Sequence, residues 1–262
     1  MLRMAQGPDA SSKGLLLEEL SPDRYAGYVH DPLDITGMVI DLVPAGARVL
    51  DVGCGSGQFS KLIIDHKEVE IVGFEPQPER AEAARKLGFE VHVGELTEEY
   101  LRSLPPFDVV LFLDVLEHVM SPSELLAIAR TGLKPGGFVV ASIPNVAHWT
   151  VRLDILRGKF NYQPVGIMDS THLRWFTAST VRMLFESADF QVDDLLATPG
   201  CSLPDYNRRW PWRRIRPKTR DPFIRWATRH WPRLFGCQHI VKASPVDRLS
   251  NQDSELHTKV PN

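Results

Sequence analysis

Short apolar runs alternate with amphipathic segments through most of the chain. The apolar runs end in glycine or polar residues, as the strands of a buried sheet do, and the segments between them show helical periodicity. Because strands that alternate with helices form a parallel sheet covered on both faces, the pattern predicts a doubly wound α/β fold. Strands are predicted at residues 48–53, 70–76, 89–96, 107–115, 138–145, 191–197 and 237–244, and helices at 35–42, 57–66, 78–88, 123–131 and 180–187.

The two ends of the chain lack this periodicity. Residues 1–20 and 245–262 are polar, and we expect them to be flexible. A chain of 262 residues is long enough for one large domain and short for two. We therefore expect a single domain over residues 21–244, with a lid or substrate insert at 145–176 and a second insert at 199–236.

The composition indicates a globular protein that stays in the cytoplasm. Hydrophobic residues make up 43% of the chain and charged residues 24%, as in ordinary globular domains. No apolar run approaches the roughly 20 residues of a membrane span, and the first residues lack the apolar core of a signal peptide. Cys54, Cys201 and Cys237 have no metal-ligand spacing, so we expect free thiols and a cytoplasmic location.

A glycine-rich turn after the first predicted strand is the centre of the functional prediction. The stretch VLDVGCGSGQFS, residues 49–60, places glycines at positions 53, 55 and 57 between a strand and a helix. Glycine permits positive φ angles and the close approach of a ligand to the backbone. Gln58 stands where a dinucleotide fingerprint needs its third glycine, and the Gly-Lys-Ser/Thr of a phosphate loop is missing. We therefore expect a ligand other than NAD or ATP.

The predicted strands end in a series of polar side chains. Ligands of doubly wound sheets bind beyond the carboxyl ends of the strands, and the residues there include Asp51, Glu75, Glu95, Asp114 and Asn145. Glu75 lies where a carboxylate can accept hydrogen bonds from both ribose hydroxyls of a nucleoside. Glu95 is placed to accept from an adenine amino group, and the leucine after it offers an apolar edge to the ring.

A second polar cluster follows the fourth predicted strand, in the sequence LDVLEHV. Glu117 and His118 come three and four residues after Asp114, so a helical turn would place all three on one face. Such a cluster can bind a divalent metal, position a base or line a cofactor pocket.

In order and spacing, the motifs VLDVGCGSG, GFEP, FDVVLFLDVLEHV and LKPGGFVVASIPNV resemble those of the class I S-adenosylmethionine-dependent methyltransferases. Residues 142–177 are similar to a bacterial group near the ubiquinone-type O-methyltransferases, which is associated with polysaccharide and natural-product biosynthesis. The resemblance implies a Rossmann-like, seven-stranded, mostly parallel sheet and S-adenosylmethionine as the cofactor. The predicted cofactor-binding residues are Tyr28, Asp51, Gly53, Cys54, Gly55, Gly57, Glu75, Pro76, Glu95, Leu96, Asp114, Val115 and His118.

The same resemblance bears on metal binding. Asp114, Glu117 and His118, together with His172, are similar to the ligand set with which some ubiquinone-pathway and RNA-end methyltransferases hold Mg²⁺ or a similar ion. Those relatives carry Glu where this chain carries Asp114, and many proteins with the same local pattern bind no ion. We therefore expect no metal in the site.

The insert at 145–176 supplies the predicted acceptor site. A loop of this length in a compact domain is typically a lid or binding element, and this one is dense in aromatic and polar side chains. His172, just before a predicted helix, is the preferred general base, with His118 second and His148 third. The predicted acceptor contacts are Trp149, Tyr162, Asp169 and Arg174, together with Arg213 and Arg214 of the second insert.

The second insert carries an uneven share of the charge. The chain has a net charge of −3, yet residues 199–236 hold ten Lys or Arg against two Asp, together with four of the six tryptophans. Guanidinium groups and indoles bind phosphates, stack on bases or sugars, and bind anionic membrane surfaces. They can also pack over the sheet of their own protein. We expect this insert to recognise an anionic acceptor, with a peripheral membrane contact through residues 208–236 as the alternative.

The predicted reaction is methyl transfer from S-adenosylmethionine to oxygen by in-line displacement, with a histidine as general base. Oxygen is favoured because the Asn/Asp-Pro-Pro-aromatic motif of many base-methylating enzymes is absent after the fourth strand, where LDVLEH stands. The expected acceptor is a small molecule or a glycan. Two alternatives are a catalytically silent cofactor-binding partner that regulates a biosynthetic enzyme, and a nucleic-acid methyltransferase, which the overall acidity disfavours.

Overall fold

A seven-stranded mixed sheet forms the centre of the computed structural model, which describes residues 30–246. The strands are β1 (Arg48–Val52), β2 (Glu70–Glu75), β3 (Glu90–Val93), β4 (Phe107–Leu113), β5 (Leu133–Pro144), β6 (Phe190–Thr198) and β7 (Gln238–Pro245). Their order across the sheet is β3-β2-β1-β4-β5-β7-β6. β1 to β5 are parallel, and β7 is antiparallel to both of its neighbours. The predicted mostly parallel, doubly wound fold is confirmed.

Helices cover both faces of the sheet. They are α1 (Ile35–Leu42), α2 (Gln58–His66), α3 (Pro78–Arg85), α4 (Glu98–Ser103), α5 (Pro122–Thr131), α6 (Trp149–Leu156), α7 (Ala178–Ser187), α8 (Pro204–Arg208), α9 (Pro217–His230) and α10 (Pro232–Phe235). α1 and α2 close the apolar core on one face, and α4, α5 and α7 close the core on the other. No helix within residues 30–246 combines the length and the apolar character that crossing a bilayer requires.

Strand β4 lies in the middle of both cores. Val110 and Phe112 belong to one core and Val109 and Leu111 to the other, all with 0% exposure. A strand buried on both faces is apolar throughout, which explains the near-continuous run FDVVLFLDV. β4 pairs with β1 on one side and β5 on the other, so the strand order reverses between β1 and β4. Ligand sites of such sheets lie beyond the carboxyl ends of the strands at this reversal.

The fifth strand begins earlier than the sequence predicts. The sequence predicts a turn over LKPGG and a strand from residue 138, whereas β5 begins at Leu133, which pairs with Phe107 ahead of a register shift. Gly136 has a φ angle of +79°, so the backbone bends within the strand at a position that favours glycine.

Residues 199–237 leave the sheet and return to it at one point. Thr198, the last residue of β6, is paired with Gln238, the first residue of β7. Between them the chain forms α8, a 3-10 turn at Trp212–Arg214, α9 and α10, none of which the sequence pattern predicts. Arg209 forms ion pairs with Asp205 of α8 and Asp154 of α6, and so joins this insert to the first one.

The predicted flexible ends fall mostly beyond the described part of the chain. Residues 1–20 and 247–262 lie outside it. The predicted tail begins at residue 245, yet Pro245 is the last residue of β7, because the antiparallel pairing of β7 with β6 continues to Phe190.

Candidate active site

The glycine turn between β1 and α2 adopts the backbone conformation that its sequence predicts. Gly53, Gly55 and Gly57 have φ angles of +74°, +58° and +77°, which residues with a side chain rarely adopt. A Cβ atom on Gly53 would lie 2.7 Å from Val115 Cγ2. The turn therefore packs directly against the residues that follow β4, so Gly53 and Val115, both predicted cofactor residues, are neighbours.

Glu75, at the end of β2, is bound to the same turn. Its Oε2 accepts a hydrogen bond from Gly55 N at 2.9 Å, and its Oε1 accepts one from Gln77 N at 3.0 Å. The side chain is 3% exposed. Because each carboxylate oxygen has two lone pairs, Glu75 is held in place by the backbone and can still accept from ligand hydroxyls, as the predicted ribose contact requires.

Asp51 is buried beneath the turn. It is 2% exposed, and its Oδ2 accepts a hydrogen bond from Ser60 Oγ, which joins β1 to α2. Burial raises the pKa of Asp51 to about 6. The Asp51 carboxyl group therefore holds together the two elements, β1 and α2, that the glycine turn connects.

The remaining predicted cofactor residues differ in accessibility. Cys54 packs against β2, where burial raises the pKa of its thiol and leaves it unreactive. Leu96 is 7% exposed and belongs to the core, whereas Pro76 and Glu95 are exposed beside the strand ends. Tyr28 lies outside the described residues.

Asp114 combines an unusual backbone conformation with several hydrogen bonds. Its φ angle is +54°, and its Oδ1 accepts from Ser142 Oγ at 2.8 Å and from Gln238 Nε2 at 2.7 Å. Burial raises the pKa of Asp114 to about 6. Strained conformations held by many partners concentrate at functional sites. Ser142 and Gln238 are not among the predicted site residues, because their contacts with Asp114 join strands that are distant in sequence.

Glu117, His118 and His172 converge at a small cavity next to Asp114. Each offers a ligand atom within 4.8 Å of the others, and Glu117 Oε1 lies 4.0 Å from His172 Nε2. The structure thus brings together predicted residues from the end of β4 and from the lid. The cavity has a volume of about 50 Å³ and is lined by Asp114, Glu117, His118, Pro144, Gly166, Ile167, His172, Cys237 and Gln238.

The carboxylate of Glu117 is buried without a compensating hydrogen bond. Glu117 is 1% exposed, and neither of its side-chain oxygens has a hydrogen-bond partner within residues 30–246. Burial and the nearby charge of Asp114 raise the pKa of Glu117 well above its usual range. Because an uncompensated buried carboxylate is costly, this position suits a positively charged partner.

Hydrogen bonds join the lid to the end of β4. Arg174 N donates to the carbonyl oxygen of Glu117 at 3.1 Å, and Arg174 Nε donates to the carbonyl oxygen of Met120 at 3.1 Å. Asp169 Oδ1 accepts from Thr171 N and Oγ1 at 2.8 and 2.7 Å. Asp169 and Arg174, both predicted acceptor contacts, therefore shape the loop that carries His172.

His148, the third predicted base, lies outside the lining of the cavity. It is 0% exposed, caps the start of α6, and its Nδ1 is 2.8 Å from Thr150 Oγ1. Burial lowers the pKa of His148 to about 3. Its imidazole is neutral and sequestered, so the geometry assigns it to packing.

The other predicted acceptor residues also lie outside this lining. Trp149 Nε1 donates to Tyr206 Oη at 3.2 Å. Tyr162 is 42% exposed and lies at the protein surface. Arg213 and Arg214 are exposed on the 3-10 turn. The structure therefore does not bring these residues to the histidine cluster.

A family model and two curated relatives match parts of the chain. The family model described as a methyltransferase domain matches residues 18–195. A ubiquinone biosynthesis O-methyltransferase of Stutzerimonas stutzeri (strain A1501) is 31% identical over 121 residues, which are 44% of this chain and 52% of that protein. A ubiquinone biosynthesis O-methyltransferase of Aeromonas salmonicida (strain A449) is 28% identical over 156 residues, 57% of this chain and 65% of that protein. The chain thus spans between about half and two-thirds of the length of these relatives.

A solved structure shows the same fold. An S-adenosylmethionine-dependent methyltransferase from Archaeoglobus fulgidus has a TM-score of 0.54 to this chain at 20% identity, with 80% of this chain and 92% of that chain covered. The family match includes the glycine turn, Glu75 and the cluster after β4. The chain therefore belongs to the methyltransferase domain family and has the class I fold of the S-adenosylmethionine-dependent methyltransferases.

Proposed function

We propose that the chain methylates an oxygen atom of a small-molecule or glycan acceptor at the cavity formed by Glu117, His118 and His172. The convergence of a carboxylate and two imidazoles within 4.8 Å of one another carries the proposal. A hydroxyl loses its proton as its oxygen attacks a methyl group, and groups of this kind promote that loss. The relatives, named ubiquinone biosynthesis O-methyltransferases, support the same acceptor atom.

The glycine turn and Glu75 fit the cofactor. A Cβ atom on Gly55 would meet nothing within 4 Å, so the turn is open on that side, and the carboxylate of Glu75 is held beside it. When bound, S-adenosylmethionine supplies a methyl group on a good leaving group. Since that group is already reactive, the main task of the chain is to position the acceptor, which can lower the barrier by roughly 7–11 kcal/mol.

Two modes of acceptor activation are consistent with the cluster. In one, His172 accepts the hydroxyl proton and Glu117 stabilises the resulting imidazolium. In the other, Glu117, His118 and His172 hold a divalent cation such as Mg²⁺ or Mn²⁺, which supplies Lewis acidity. The distance of 4.0 Å between Glu117 Oε1 and His172 Nε2 is too long for a hydrogen bond. The Glu117 carboxylate accepts no hydrogen bond from any described residue. These observations favour the cation, so we propose it in place of the expectation that the site binds no metal.

Exhaustive chelation is expected to lower methyl transfer by about 10²-fold or more, and added Mg²⁺ or Mn²⁺ is expected to restore it. The measurement is transfer of labelled methyl from S-adenosylmethionine to a panel of phenols, sugars and hydroxy acids, with amines as the comparison. Cofactor affinity, measured by calorimetry, should stay constant because the glycine turn needs no ion. Full activity in chelator would leave His172 as a base without a cation. Transfer to amines alone would overturn oxygen methylation.

Replacing Glu75 by Ala is expected to weaken S-adenosylmethionine binding at least about tenfold. Each ribose hydrogen bond to a charged carboxylate contributes roughly 1.5–3 kcal/mol, and the carboxylate also holds Gly55. Calorimetry on the variant tests this, with Glu186→Ala on the exposed side of α7 as the matched control. Unchanged affinity in Glu75→Ala would remove Glu75 from the cofactor site.

A further inference from the structure

Helix α9 turns aromatic side chains away from the sheet. Ile224 and Ala227 are 0% exposed and pack inward, whereas Phe223 and Trp226 are 44% and 47% exposed. Trp231, just after the helix, is 51% exposed. A helix on a protein surface normally presents polar residues to water, so a group of exposed rings marks an interaction surface.

These rings form one continuous row. Ring centroids are 5.6 Å apart between Trp212 and Phe223, 5.7 Å between Phe223 and Trp226, and 5.2 Å between Trp226 and Trp231. The interplanar angles are 34°, 40° and 88°, so neighbouring rings are tilted or perpendicular to one another, as aromatic pairs in contact commonly are.

The segment of residues 208–235 holds more cations than acids. Asp205, just before it, is paired with Arg209, and Asp221 is paired with Arg220. The segment therefore carries a net positive charge that is available to an anionic partner. Its exposed Lys and Arg that make no ion pair within residues 30–246 are Arg208, Arg213, Arg214, Arg216, Lys218, Arg229 and Arg233.

We propose that residues 208–235, the basic aromatic face, dock on the surface of an anionic phospholipid bilayer. Lys and Arg meet lipid phosphates, while Trp and Phe insert at the headgroup boundary, where amphipathic rings are stable. Arg229 lies three residues after Trp226, on the same side of α9, so this cation lies beside the rings. None of the residues of this face lines the cavity, so the face and the cavity are formed by different residues.

Sedimentation of the whole chain with lipid vesicles tests the proposal. Wild type is expected to bind phosphatidylcholine vesicles that contain phosphatidylglycerol more tightly than pure phosphatidylcholine vesicles, and high ionic strength should weaken that binding. Each cation near an anionic surface contributes about fivefold, so Lys218→Ala/Arg229→Ala should bind anionic vesicles roughly 25-fold more weakly. Trp226→Ala/Trp231→Ala should lose binding to both kinds of vesicle.

Matched variants separate this face from general effects. Lys86→Ala/Arg182→Ala removes two exposed cations elsewhere, and Met183→Ala removes an apolar side chain that is 63% exposed on α7. Both should bind vesicles like wild type, and unchanged cofactor affinity in every variant shows that the fold is intact. The proposal is overturned if wild type stays in the supernatant, or if Lys218→Ala/Arg229→Ala sediments like wild type. Retention on RNA that anionic vesicles fail to displace would also overturn it and assign the face to nucleic acid.

Discussion

Replacing His172 by Gln is expected to lower kcat for methyl transfer to a hydroxyl acceptor by about 10²–10⁴-fold. His172 is 5% exposed, lines the cavity and lies beside Glu117. An amide can neither take up the acceptor proton nor replace an imidazole as a strong ligand. Steady-state rates at saturating cofactor measure the loss. Cofactor affinity should be unchanged, because Glu75 and the glycine turn, which we propose hold the cofactor, do not line the cavity.

Neighbouring variants identify how the cluster works. With a cation in the site, Glu117→Gln and His118→Gln should lose as much activity as His172→Gln. If His172 acts alone as the base, His118→Gln should keep most of its activity. His66→Gln, on the exposed side of α2, controls for loss of a histidine as such. Wild-type kcat in His172→Gln would remove the cluster from the reaction.

Replacing Phe112 by Ala is expected to lower the free energy of unfolding by about 3–5 kcal/mol. Phe112 is 0% exposed in the central strand, where surrounding side chains are fixed by a sheet and helices and cannot fill the space. For a domain of this size each kcal/mol corresponds to roughly 2–4 °C, so the melting temperature should fall by roughly 6–20 °C. Met183→Ala, exposed on α7, should change stability by less than about 0.5 kcal/mol. An equally small loss in Phe112→Ala would mean that β4 is loosely packed.

The order of strands and helices could be predicted because burial imposes a periodic pattern on each element. The run from Phe107 to Leu113 is apolar because β4 is covered on both faces, and the three glycines of the turn are needed because their φ angles are positive. Glu75 could be assigned to the site for the same reason: the end of a parallel strand has a defined place in such a sheet. These features depend on a few neighbouring residues.

Contacts between distant parts of the chain could not be predicted in this way. Gln238 donates to Asp114 across 124 positions of sequence, and this contact exists only because β7 lies beside β5. The burial of Glu117 likewise depends on the lid loop folded against it. His148, the third predicted base, is a buried helix cap outside the cavity lining, and this position likewise depends on how the insert folds.

The helices of the second insert escaped prediction for local reasons. α9 contains Pro222 within its span and begins with Pro217, and proline inside a helix is unfavourable in general. Its outward face carries Phe223 and Trp226 where the usual amphipathic pattern has polar residues. The exposed side of α9 therefore mixes aromatic rings with charged residues such as Lys218 and Arg229.

The pairing of Thr198 with Gln238 has a consequence for how such enzymes diversify. The last residue of β6 and the first residue of β7 are paired directly, so the two strands form an antiparallel hairpin whose connection is residues 199–237. A tight turn could join β6 and β7 without a change of register. Residues 199–237 can change in length or surface while the pairing of β6 with β7 stays the same. The surface that these residues present can therefore vary while the strands that carry the candidate site keep their places.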